Sequence, residues 1–185
     1  MTCPGFSIRP ADPVDAARLS RFAAMTFRDT FAGDNTPQDM ERYVAEAFTP
    51  QRQAAEIADP SGAMLLVDEA ESGDLLAYAR LVAGGGCAPV AGQRPMELRR
   101  FYVARAWHGR GLADELMAAA LAAARARATD VLWLGVWERN ARALAFYRRH
   151  GFRRVGEQVF DLGGDRQIDW ILTRTLTRVG PPAAR

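Results

Sequence analysis

The segment from Tyr102 to Asp114, YVARAWHGRGLAD, places glycines between a β-type run and a long alanine-rich run. The residues before the glycines predict a strand, and those after them predict a helix. Backbone N–H groups in such a turn point into one concavity, and the helix N-terminus adds partial positive charge. Gly109 and Gly111 leave the backbone open to a ligand because they carry no Cβ. These residues fit an anion site suited to phosphate, and an ordinary strand–helix connection that needs glycine for its geometry fits them equally well.

The other common nucleotide-binding and metal motifs are missing. A dinucleotide fingerprint needs a third glycine or alanine where this chain has Asp114. All 24 basic residues are arginine, which excludes a Walker-type lysine and a Schiff-base lysine. Cys3 and Cys87 are too far apart in sequence for a thiolate metal motif, and neither stands in a catalytic context. His108 and His150 lack zinc-ligand spacing, so no metal is expected.

A second patterned segment, WERNARALAFYRRHGF, follows an apolar strand-like run. Its helical part ends at a glycine, as helices often do. The spacing N-x-x-A-x-x-F-Y-x-x-x-G-F resembles the later block of the GNAT superfamily of N-acetyltransferases. The matching positions are Asn140, Ala143, Phe146, Tyr147, Gly151 and Phe152.

The glycine turn resembles the pyrophosphate loop of the same superfamily, Q/R-x-x-G-x-G/A. It matches at Gly111 and Ala113 and differs at His108, where Gln or Arg is usual. That difference removes one side-chain contact and leaves the backbone cradle intact. The resemblance implies acetyl-CoA as cosubstrate, with backbone groups of Phe101 and Val103 facing the pantetheine amides. The cofactor-binding residues expected from it are Phe101, Tyr102, Val103, His108, Gly109, Arg110, Gly111, Leu112, Ala113, Asp114, Asn140 and Tyr147.

Two residues are candidates for catalysis by direct transfer in a ternary complex. Expulsion of a thiolate calls for a proton donor near the sulfur. The resemblance implies this role for Tyr147, and the alternative is a core tyrosine on a helix face. An attacking amine must lose a proton, and Glu97 is the candidate base; alternatively Glu97 is a surface carboxylate paired with an arginine. Asn140 is expected to cap its helix, to hold the pantetheine arm, or to do both.

A narrower likeness concerns the acceptor. Segments 26–31, 40–48, 132–140 and 164–169 are similar to PaiA-type spermidine/spermine acetyltransferases, which implies a primary amine on a polyamine. Acidic residues of the N-terminal part are candidates for attracting a polycation, although a solvated surface of mixed charge explains them as well; they are Asp29, Asp34, Asp39 and Glu41. A protein, peptide or antibiotic amine remains an alternative acceptor, and an acyl-CoA-binding regulator without turnover is the alternative function.

The elements that must position these residues form an α/β pattern with a mixed sheet. Strands are expected at 6–9, 63–67, 75–82, 97–103, 131–137, 153–161 and 166–175, and helices at 12–33, 37–48, 50–60, 111–127 and 141–150. The resemblance implies a GNAT-like acyl-CoA N-acyltransferase fold of six to seven strands with helices on both faces. It adds a splay between the strands at 97–103 and 131–137 that receives the cofactor. Residues 1–178 are expected to form one domain and 179–185 a flexible tail.

Composition excludes several classes of protein. A net charge of +2 is too small to indicate nucleic acid. No apolar run is long enough to span a membrane, and the N-terminus lacks the pattern of a signal peptide. A cytoplasmic enzyme acting on a small-molecule amine, without nucleic acid or membrane, is the resulting expectation. A homodimer is left open.

Overall fold

The computed structural model describes residues 5–84 and 89–176. In these residues the expected mixed α/β architecture is confirmed, with seven strands in one sheet. The strands are β1 (Phe6–Pro10), β2 (Ala63–Glu69), β3 (Leu75–Ala83), β4 (Pro95–Val103), β5 (Val131–Trp137), β6 (Arg153–Leu162) and β7 (Asp165–Thr175). The helices are α1 (Ala16–Phe31), α2 (Pro37–Ala47), α3 (Pro50–Ala58), α4 (Leu112–Ala126) and α5 (Ala141–Arg149). Cys3, Cys87 and the segment 179–185 lie outside the described residues.

Local sequence signals set the starts of α2 and α3. The hydroxyl of Thr36 accepts a hydrogen bond from the N–H of Asp39, and the hydroxyl of Thr49 accepts one from the N–H of Arg52. A proline follows each threonine at the first helical position, where its missing N–H is not needed. Among the described residues, no helix is both long and apolar enough to cross a bilayer.

Two apolar cores lie on opposite faces of the sheet. Its strand order is β1-β2-β3-β4-β5-β7-β6. Helices α4 and α5 cover one face, where Leu116 and Met117 are fully buried. Helices α1 and α2 cover the other face, where Leu19 packs near Tyr78. The expectation of helices on both faces is therefore confirmed, and a residue's position along a strand decides which layer it enters.

The sheet opens between its two central parallel strands. Strands β4 and β5 pair only from Pro95 opposite Val131 to Glu97 opposite Trp133. Beyond that point β4 stays paired with β3, and β5 stays paired with β7. The two strands therefore part toward their carboxyl ends and leave a gap in the middle of the sheet, which is the expected splay.

A β-bulge changes which face of the sheet the side chains of β4 point to, just where the strand begins to border the gap. Arg80 of β3 lies opposite Arg100, but Leu81 lies opposite Leu98, so Arg99 is an extra residue. An inserted residue shifts the alternation of side chains by one. Leu98 before the bulge and Phe101 after it both contact the α4 and α5 core, although they are three positions apart.

Candidate active site

The glycine turn holds a row of free backbone donors. Gly109 and Gly111 adopt φ values of +75° and +83°, which glycine tolerates best. The N–H of His108 is bonded to the carbonyl of Arg105, and the N–H of Asp114 to that of Gly111. Between these two, the N–H groups of residues 109–113 have no backbone partner among the described residues. They include the first orphan donors of α4, which makes the turn an anion cradle at a helix N-terminus.

Asp114 and Leu112 have structural roles that differ from the expected cofactor contact. The carboxylate of Asp114 accepts hydrogen bonds from Arg149 at 3.0 Å and from Nε2 of His150 at 2.8 Å. Asp114 thus ties the start of α4 to the end of α5, and its own N–H is already used. The side chain of Leu112 is fully buried in the core. Only the backbone of Leu112 faces the cradle.

His108 joins the cradle to the gap. Its Nε2 lies 3.0 Å from the carbonyl oxygen of Val103, and its Nδ1 contacts the guanidinium of Arg142. Burial lowers the pKa of His108, and the neighbouring Arg142 and Arg105 lower it further. A neutral ring then donates from Nε2 and accepts Arg142 at Nδ1. The histidine that departs from the family pattern thus places an arginine beside the phosphate cradle.

Backbone groups of β4 line the gap at alternate residues. The N–H of Ala104 bonds to the carbonyl of Leu76, so by alternation Tyr102 exchanges hydrogen bonds with β3. The backbone groups of Phe101 and Val103 therefore point away from β3, into the gap, as the expected pantetheine contact requires. Tyr102 departs from the prediction. Its backbone belongs to the ladder, and its ring stacks on Tyr78 on the opposite face.

Tyr147 lies on α5 beside the gap. Its ring packs edge-on against Phe101 and Phe152 at centroid distances of 6.4 Å and 5.6 Å. Burial raises the pKa of Tyr147, so the phenol keeps its proton throughout the physiological range. Oδ1 of Asn140 accepts the N–H of Ala143 at 3.1 Å, which is the expected helix cap. Both Tyr147 and Asn140 line the cleft described next.

One cleft of about 880 Å³ passes through the gap and reaches both faces of the sheet. Tyr147 lies on the face covered by α4 and α5. Asp169 lines the same cleft from the other face, since its neighbour Trp170 packs against the α4 and α5 core. The cleft therefore connects the phenol of Tyr147 on one side of the sheet with the carboxylate of Asp169 on the other.

Glu97 lies where β4 and β5 make their last pair, and it lines the cleft. Nε and Nη2 of Arg99 donate to the same oxygen, Oε2, at 2.9 Å and 2.5 Å. The other oxygen, Oε1, is not used by Arg99. Glu97 therefore pairs with an arginine and also lines the cleft, and its role as a base stays a prediction.

Asp169 is a further candidate, which no motif in the sequence marks. It lies on β7 opposite Trp137, and burial raises its pKa from 3.8 to about 6. Gly135 of β5 makes room for it, because a Cβ there would lie 3.1 Å from Oδ2 of Asp169 and 2.8 Å from Nε2 of Gln158. A glycine inside an apolar strand marks a close approach, and that was the available signal.

The acidic residues considered for a polycation do not line this cleft. Glu41 is paired with Arg28, and Asp39 accepts the hydroxyl of Thr36. Asp29 and Asp34 line a smaller adjoining hollow together with Arg105, Arg139 and Arg142. Arginines accompany these carboxylates, so the structure gives no acid-lined wall there.

Comparisons with known proteins agree on one family. Residues 26–152 match the model of the Acetyltransferase (GNAT) family. An uncharacterized N-acetyltransferase from the pepI 3′ region of Lactobacillus delbrueckii is 33% identical over 93% of this chain and 98% of its own length. The PaiA N-acetyltransferase of Thermoplasma acidophilum, solved with coenzyme A, has a TM-score of 0.71 at 18% identity, covering 92% of this chain and 99% of that one. The spermidine/spermine N-acetyltransferase SpeG of Vibrio cholerae has a TM-score of 0.64 at 18% identity, covering 92% and 93%.

Proposed function

Since this chain belongs to the GNAT family of acetyltransferases, we propose that it acetylates a primary amine by direct attack on acetyl-CoA in a ternary complex. The parting of β4 and β5 carries this proposal. That gap connects the phosphate cradle and Tyr147 with a carboxylate-bearing cleft on the opposite face. The two substrates can therefore approach from opposite sides of the sheet and meet between its strands.

The residues present suit coenzyme A. The N–H groups of residues 109–113 supply donors for the pyrophosphate, and Arg142 adds charge beside them. The backbone groups of Phe101 and Val103 suit the pantetheine amides, although His108 already occupies the carbonyl of Val103. Acetyl-CoA supplies the acetyl group as a thioester, whose C–S bond breaks as the new C–N bond forms.

The proton transfers need a base for the amine and an acid for the departing sulfur. The amine reaches the site mostly protonated, and Asp169 accepts that proton because its pKa of about 6 leaves it ionised at neutral pH. Glu97 is the second candidate base, through the oxygen that Arg99 does not use. Tyr147 holds its proton until the C–S bond breaks and then donates it to the sulfur, and the second proton that the nitrogen loses on becoming an amide restores the phenol.

A polyamine is one acceptor that the family resemblance supports. The resemblance is to PaiA-type enzymes, and one neighbour in fold is named for spermidine and spermine. At 18% identity such likeness speaks for the fold alone. The geometry favours a second class of acceptor, an amine that also carries an anionic group. The reason is that arginines outnumber carboxylates among the residues that line the cleft.

Initial-rate kinetics tests the proposed reaction. Acetyl-CoA and a panel of amines are varied together, and release of free coenzyme A is followed. Direct transfer predicts intersecting double-reciprocal lines and no acetylated enzyme when the amine is left out. Parallel lines with a covalent acetyl-enzyme contradict direct transfer. Absence of turnover, combined with tight binding of acetyl-CoA, supports the non-catalytic regulator instead.

A further inference from the structure

Two arginines that line the cleft lie side by side on neighbouring strands. Arg80 of β3 lies directly opposite Arg100 of β4, a placement that is unfavourable for like charges. Glu56 of α3 lies between them, with Oε1 2.7 Å from Nη1 of Arg80 and Oε2 2.5 Å from Nη1 of Arg100. The three side chains are only 7–10% exposed. One carboxylate thus serves two buried guanidinium groups, and the cluster keeps a net positive charge.

The two arginines differ in how well they are satisfied. Arg100 also reaches Oε1 of Gln53 at 3.4 Å and the carbonyl of Ala47 at 3.5 Å. Arg80 makes its single ion pair, among the described residues, with Glu56, and it lines the cleft. Burial lowers the pKa of Arg80, and the charges of Arg100 and Arg99 add to that. A guanidinium does not give up its proton in proteins, so Arg80 is a buried cation with spare donors.

Arg99 adds a third guanidinium beside this pair. The β-bulge makes Arg99 the extra residue of β4, and it lines the same cleft. Its side chain is 41% exposed, and it is paired with Glu97. Arg80 and Arg99 together present planar donors of the kind that bind a carboxylate or a phosphate group.

Charged groups of both signs line the cleft. Asp169 lines it from β7, and Arg80, Arg99 and Arg100 line it from β3 and β4. In total, six arginines and four carboxylates line it. A polycation would meet more like charges than opposite ones, whereas a molecule with both signs would find a partner for each.

We propose that the acceptor is an amine that also carries an anionic group, as an amino acid does. Its anion binds Arg80 and Arg99, and its amine is directed toward Asp169 and the gap. This inference rests on the proposed acetyl transfer. It adds a substrate class to that reaction and sets aside the simple polyamine.

Matched substrate pairs test the inference on the unaltered protein. Each amino acid is compared with the amine that lacks only its carboxylate, such as lysine with cadaverine, and spermidine is included. We expect the amino acid to have the higher kcat/KM in the best pair. A higher value for cadaverine or spermidine, or turnover of neither member of any pair, overturns the inference. In the first case the acetyltransferase function stands, and a failure of acetyl-CoA to bind would instead count against that function.

Arginine variants locate the anion site. For Arg80→Gln and Arg99→Gln, we expect kcat/KM for the amino acid to fall about 10- to 100-fold, as loss of a charged hydrogen bond predicts. The value for the matching amine should change less than about threefold. Arg28→Gln is the control for Arg99→Gln, because Arg28 is similarly exposed (39% against 41%), is also paired with a glutamate and does not line the cleft.

The selectivity ratio decides between binding and structural roles. Replacement of an arginine that has only a structural role would lower kcat/KM for both substrates alike. An unchanged ratio in both variants therefore overturns the assignment of the site. If Arg80→Gln fails to fold, Arg99→Gln and the substrate pairs still give the answer.

Discussion

Replacement of Asp169 by asparagine tests both the chemistry and the physics of the site. The side chain is half-buried beside Gly135, and burial raises its pKa from 3.8 to about 6. A shift of one unit corresponds to about 1.36 kcal/mol. The ionised form therefore costs the folded protein up to about 3 kcal/mol, an upper bound because water at the cleft screens the charge.

The sign of the effect on stability follows from proton linkage. The folded state binds the proton of Asp169 more tightly than the unfolded state does. The free energy of unfolding therefore falls, by up to about 3 kcal/mol, as pH rises from about 4 to about 6. Asparagine has no charge to lose, so Asp169→Asn should be more stable than the parent above pH 7 and equal to it near pH 4. For a chain of this size, 3 kcal/mol corresponds to a rise in Tm of about 6–12 °C.

The same change should impair catalysis. Loss of a general base typically costs about 10²- to 10⁴-fold in rate. In the parent, kcat/KM should rise with pH and bend near pH 6, as Asp169 ionises. The variant should lose that bend and keep only the rise due to the amine. A more stable but less active protein is the usual sign of a charge held for function.

Melting curves and pH–rate profiles of the two proteins give the answer. Asp74→Asn serves as the control, since Asp74 is an exposed carboxylate in the β2–β3 turn. It should alter neither measurement appreciably. If the profile of kcat/KM against pH for Asp169→Asn keeps the bend near pH 6, Asp169 is not the base. A variant with no gain in stability at pH 8 would refute the buried-charge argument.

Other predictions concern the donor, the cradle and the second base. Tyr147→Phe should lower kcat about 10- to 1000-fold and leave the affinity for acetyl-CoA nearly unchanged, because the ring and its packing remain; an unchanged kcat leaves Tyr147 a core residue. Gly111→Glu should abolish the rise in Tm that acetyl-CoA produces, whereas Gly73→Glu, with a similar φ of +73° and equal open space, should keep it. Equal responses in both variants would argue against the cradle. Glu97→Gln should lower kcat less than Asp169→Asn does, and a larger loss would reverse the order of the two bases.

Much of the fold was predictable because its signals are local. Threonine followed by proline starts α2 and α3, and the cap and the helical position lie next to each other in sequence. The glycine turn needs only its own φ values, and α4 follows it directly. The positions of Tyr147 on α5 and of Asn140 at its N-cap could be read from a short motif for the same reason.

Which charged residues come together at the cleft depends on contacts between distant parts of the chain. Glu56 belongs to α3, yet it neutralises charge between β3 and β4. Asp169 owes its environment to its register with β5 and to the absence of a side chain at Gly135. Neither relation leaves a periodic trace in the sequence, so neither residue was singled out.

The sequence by itself determined the reaction class, through two motifs that resemble one family and that carry their own turn and helix signals. Only the tertiary structure decided which charged groups surround the acceptor. The physical reason is the single extra residue in β4. A shift of one position moves a side chain to the other face of a strand. The bulge thus sets Arg99 and Arg100 on the cleft side, where we propose that the acceptor binds.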